Sequence, residues 1–177
     1  MKKSMDQLLA EIMEKVKVTI ENKQKAVKIP TGVRLLMRRC CHAVLHMEQF
    51  PYCAQVDISI VDNEQIRTIN REHRDIDAST DVLSFPLGEN GVYDTDPSTG
   101  AKMLGDIVIS IEQAMLQAKS FGHPLQREIG YLTVHSMLHL LGYDHVEGGM
   151  EAVRMREKEE IVMKQIGFPR GGSYVME

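Results

Sequence analysis

Tyr131-Leu-Thr-Val-His135-Ser-Met-Leu-His139-Leu-Leu-Gly142-Tyr-Asp-His145 is apolar nearly all round, yet it carries three histidines. Flanks as apolar as Tyr131, Leu132, Val134, Met137, Leu138, Leu140 and Leu141 belong to a helix that other elements cover on most sides. Strand-like segments precede this stretch and a helical segment follows it. The order predicts an α/β (α+β mixed) fold, one small mixed sheet of about four strands covered by helices, with the histidine helix the most buried of them.

The same stretch is the candidate metal site. A helix turns once in about 3.6 residues, so His135 and His139 lie one above the other on one face. Gly142 stands where a helix ends in positive φ, and the chain can then fold back to bring His145 alongside. Three neutral imidazoles without a fourth protein ligand match a catalytic zinc site with an open position for water. The spacing is similar to that of the metzincin metalloproteases. Those enzymes carry Glu directly after the first histidine as the general base, and here Ser136 stands there. Proteolysis is therefore the least favoured reading. His42 and His46 are also four apart on a predicted helix, but they lack the turn glycine and a third histidine, so they are read as ordinary surface or core residues.

The chain has 177 residues, enough for one well-packed core. Residues 1–15 read as a leader or helix extension and 16–177 as a single domain. No apolar run approaches the roughly 20 residues that a bilayer crossing needs, and Asp6, Glu11 and Glu14 interrupt any signal core, so a cytoplasmic location is expected. Cys40, Cys41 and Cys53 are odd in number and read as reduced, mostly buried thiols. The net charge of −4 is unevenly spread. Residues 1–50 hold ten Lys or Arg against five acids, net +5, and the rest is net −9. The basic half could attract phosphates or simply form a solvated face.

Residues 4–14 space apolar side chains as a short amphipathic helix would. Val16, Val18 and Ile20 alternate with polar residues as a half-buried strand, and a helix is predicted over 33–47. Further strands fall at 56–61, 82–85 and 107–109, with a helix from an Asn63 cap to His73. Helices follow at 111–121, 125–141 and 149–166. Residues 88–102 are dense in turn formers and poor in anything that could pack, and they read as a long loop.

Asn70-Arg-Glu-His-Arg74, Thr80-Asp-Val-Leu-Ser-Phe-Pro86 and Leu104-Gly-Asp-Ile-Val-Ile-Ser110 precede the histidine motif. In that order, over about residues 16–166, the chain resembles the YbeY-type endoribonucleases, a family of bacterial rRNA maturation factors. The resemblance implies a single-strand-specific, metal-dependent endoribonuclease acting in 16S rRNA maturation and ribosome quality control. It implies one Zn2+ per chain on His135, His139 and His145, a functional arginine at Arg74, and single-stranded RNA and the ribosome or its small subunit as partners. Ser136 departs from the glycine usual there. Residues 1–15 and the 88–102 loop have no obvious counterpart. Asp144 could orient a ligand histidine or simply serve the turn, and Ser84 and Asp106 read as strand-end structure. A non-catalytic RNA-binding assembly factor with a structural metal is the alternative reading, and a metallopeptidase the least favoured one.

Overall fold

Alternation of apolar and polar residues places strand β1 at Val16–Asn22, with Val18 turned into the core and Lys17 and Thr19 exposed. Helix α1 (Val33–Met47) carries the chain to β2 (Ala54–Val61), and α2 (Asn63–Arg74) leads on to β3 (Val82–Pro86). Strand β4 (Lys102–Ser110) passes directly into α3 (Ile111–Phe121), which α4 (Leu125–Leu140) and α5 (Gly149–Gln165) follow. These elements belong to a computed structural model that describes residues 2–7, 15–144 and 148–170. Among the described residues no helix is long and apolar enough to cross a membrane.

The four strands form one mixed sheet in the order β1-β2-β4-β3, as the α/β reading requires. β1 and β4 both run parallel to β2, with Val18 opposite Val56 and Ile58 opposite Ile107. β3 is antiparallel to β4 and sets Ser84 opposite Ile107. Side chains alternate between faces, so Ile58, Ile60, Ile107 and Ile109 join the main core with α1, α4 and α5. Their neighbours Val61, Leu83 and Val108 point the other way and pack under Ile66 of α2 in a smaller cluster. Helix α4 buries ten of its sixteen residues, against seven of fifteen in α1, which makes it the central member of the helical layer.

Gly105 explains how α4 comes so close to the sheet. A Cβ there would lie 2.3 Å from the Phe85 carbonyl oxygen and 2.8 Å from Leu140 Cδ2, so only glycine admits both neighbours.

Three expectations need correction. The cap of α2 is Asp62, whose side chain accepts from Gln65 N at 2.8 Å while Gln65 Oε1 accepts from Asp62 N at 2.9 Å. Asn63 instead accepts from the Ser110 hydroxyl at 2.7 Å, fastening α2 to the end of β4. The 88–102 segment does pack: Tyr93 is buried, and its hydroxyl donates to Leu140 O at 2.7 Å. Ser84 and Asp106 sit inside β3 and β4 rather than at strand ends. The reading of free, mostly buried thiols holds: Cys40 and Cys41 are buried, and burial pushes both thiols far above their ordinary range, whereas Cys53 is exposed. At the N-terminus, Ser4 and Gln7 exchange side-chain-to-backbone bonds of 3.0 and 3.2 Å, as at a helix start. Residues 8–14 lie outside the described residues.

Candidate metal centre

Pro124 opens α4 with its fixed φ of −62°, and the helix then runs unbroken to Leu140. Its end is a Schellman motif: Tyr143 N donates to Leu138 O and Gly142 N to His139 O, each at 3.0 Å, with Gly142 at φ +100°. This reversal is what the glycine spacing predicts. It also turns the Tyr143 carbonyl back toward the helix, where His139 Nδ1 donates to it at 2.7 Å.

His135 makes a matching contact from the other direction, its Nδ1 lying 2.9 Å from Glu159 Oε1 on α5. A carbonyl oxygen and a carboxylate accept at these contacts, so each imidazole, in its neutral form, carries its proton on Nδ1 and a lone pair on Nε2. Those two Nε2 atoms face each other at 3.1 Å, with the rings 4.6 Å apart and nearly perpendicular. Two lone pairs at that distance repel unless a cation lies between or beside them. The separation is also close to the roughly 3.3 Å edge of a tetrahedron built on zinc–nitrogen bonds of about 2.05 Å. The donor set therefore fits a metal ion. The third predicted ligand, His145, lies outside the described residues. Among the described residues no group of three or more His, Cys, Asp or Glu is gathered for a metal.

Arg74 is the last residue of α2, and the helix stops there because Asp75 turns to φ +56°. The guanidinium then passes over the Phe85 ring, 5.6 Å from its centroid, and Nη2 donates to Ser84 O at 2.9 Å. Arg74, Ser84, His135 and His139 thus line one hollow of about 370 Å³. Asn70 keeps the connection in place, its side chain donating to Ala78 O at 2.9 Å. The first two motif blocks and the histidine block converge here, and the third supplies Gly105 behind them.

Asp144 also lines this hollow, but the two described histidines turn their Nδ1 atoms to Glu159 and Tyr143 O instead. Glu159 is the residue that sequence reasoning missed. Its only local signal is a charged residue on the apolar stripe Met155, Val162, Met163 of α5. Ser136 is fully buried and is not among the residues that line the hollow.

The family model described as Endoribonuclease YbeY matches residues 19–167. The chain belongs to this family. A relative in Caldanaerobacter subterraneus subsp. tengcongensis, named Endoribonuclease YbeY, is 48% identical over 86% of this chain and 99% of its own. One in Alkaliphilus metalliredigens with the same name is 44% identical over 88% of this chain and 98% of its own. The solution structure of TM1509 from Thermotoga maritima shares the fold, with a TM-score of 0.56 at 21% identity, over 89% of this chain and 99% of that one. YbeY membership therefore extends over nearly the whole described sheet and helical layer.

Proposed function

We propose that this chain is a single-strand-specific, metal-dependent endoribonuclease that acts in the cytoplasm in 16S rRNA maturation and ribosome quality control. Its relatives' name supports the reaction class, and one observation carries the chemistry: two Nε2 lone pairs meet at 3.1 Å in a hollow that an arginine also lines. His135, His139 and His145 would hold one zinc ion per chain. When bound, zinc would supply Lewis acidity and bring the ionisation of water down to near neutral pH.

The protein's own residues then have distinct tasks. Glu159 and the Tyr143 carbonyl keep the two described imidazoles in the tautomer that presents Nε2. Arg74 offers a permanently charged guanidinium that grips two phosphate oxygens at once. Its bond to Ser84 O fixes one amino group and leaves the other donors for the phosphate, where they stabilise charge as it builds. The substrate is single-stranded RNA, with rRNA in the small ribosomal subunit as the physiological partner.

The test is cleavage of a labelled single-stranded RNA by metal-loaded wild type and His139→Ala purified identically. Cleavage by the wild type alone is expected, and the chemistry of the cleaved ends distinguishes attack by water from attack by the 2′-hydroxyl. Equal cleavage by both, or tight RNA binding with none, overturns the catalytic reading in favour of an assembly factor with a structural metal.

A further inference from the structure

We infer that Glu159 is a positioning residue of the histidine centre, and that through it helix α5 is part of that centre as well as a cover for it. Along α5, Met155, Glu159, Val162 and Met163 form the buried stripe, so Glu159 occupies a position where an apolar side chain would pack without penalty. Its residue exposure is only 4%. A buried carboxylate is costly unless it is paired, and two side chains reach this one: His135 Nδ1 at 2.9 Å and the Tyr131 hydroxyl. The adjacent Glu160 shows the ordinary alternative, exposed and paired with Arg170 at 3.1 Å.

The second observation is Tyr131, one turn before His135. Its ring stacks on the imidazole at 5.9 Å and 30°, and burial together with the nearby Glu159 carboxylate pushes its phenol well above the ordinary range. His135 is thus held on one face by a ring and at Nδ1 by a carboxylate, while Nε2 is left to the site. The two ligands are treated unequally. His139 donates to a neutral carbonyl, whereas His135 donates to an anion, which makes its Nε2 the stronger electron donor. Zinc binding and the docking of α5 then reinforce each other through one hydrogen bond.

This role presupposes that His135 and His139 hold a metal, so the experiment begins with the wild type. Zinc affinity is measured on the full chain by competition with a chromophoric chelator, and Tm is measured with and without zinc. Glu159→Ala should weaken zinc binding by about 10- to 100-fold. Glu159→Gln, which keeps an acceptor without the charge and preserves the packing, should fall between it and the wild type. The zinc-induced rise in Tm should shrink in the same order, and Glu160→Gln should match the wild type in both. Zinc affinity unchanged in Glu159→Gln and Glu159→Ala overturns the role of Glu159 alone. A Tm loss that is the same with and without zinc does so too, since it marks a structural pair. A wild type that takes up no zinc overturns the metal reading with it.

Discussion

On α1, His42 and His46 stand four residues apart, as His135 and His139 do on α4. The helical repeat gives both pairs the same spacing at no cost, so spacing is not what makes a ligand pair. His135 and His139 have their Nδ1 atoms engaged by Glu159 and the Tyr143 carbonyl, and their Nε2 atoms converge at 3.1 Å. His42 Nδ1 is buried with no hydrogen-bond partner, and burial lowers its pKa from 6.5. It faces a hollow of about 280 Å³ that His46, Lys15 and Tyr52 also line. Outside acceptors at Nδ1 separate the proposed metal pair from two histidines that only share a helix face.

The largest expected effect breaks the comparison outright if it fails. After dialysis against dilute zinc, elemental analysis should find about one zinc per wild-type chain and close to none in His135→Ala or His139→Ala. His42→Ala and His46→Ala should keep the wild-type content, and loss of zinc in either would equate the two pairs. Next comes Arg74→Lys, which keeps the charge but loses the two-pronged grip on phosphate. Its cleavage rate should fall by about 10- to 100-fold with zinc content unchanged. Full activity in this variant would remove Arg74 from the chemistry and leave the histidine centre as the whole of the site.

How much of this was legible in the chain depends on how local the cause is. The strand β1, helix α1 and the Gly142 turn were legible because alternation, helical spacing and a positive-φ glycine each act within a few residues. Asp62 was harder to find, since Asp and Asn both cap helices and only the reciprocal Gln65 bond chooses between adjacent candidates. Tyr93 was missed because its partner, the Leu140 carbonyl, is 47 residues away. Glu159 was missed for the same reason, lying 24 residues beyond His135. The position of Arg74 over the hollow depends on the edge strand β3 presenting the Ser84 carbonyl, which nothing near Arg74 in sequence announces.

Ser136 sharpens the comparison within α4 itself, because it separates what the helix does for the proposed metal site from what it does for the core. Its hydroxyl is fully buried without a partner, next to a histidine whose every polar atom the site uses. Replacing it by Ala removes an unsatisfied group and improves helix propensity, so Ser136→Ala should raise stability by about 1 kcal/mol. That is about 2–4 °C in Tm, with zinc content unchanged. A fall in zinc content would mean that the hydroxyl supports the ligands after all.

The smallest effect concerns the pair on α1. Because burial lowers the pKa of His42 in the folded chain, the unfolded chain takes up a proton near the ordinary value of 6.5 before the folded chain does. Stability rises with pH wherever the unfolded state binds more protons, so His42 contributes stability above that pH and loses it as the pH falls below. His42→Gln cannot titrate. Melting both proteins in chelator, at about pH 7.5 and about pH 5.5, keeps metal release out of the comparison. The wild type should lose more Tm between the two conditions than the variant does. Equal losses would mean that His42 ionises as freely in the fold as in the unfolded chain, and the contrast with the α4 pair would then rest on the Nδ1 acceptors alone.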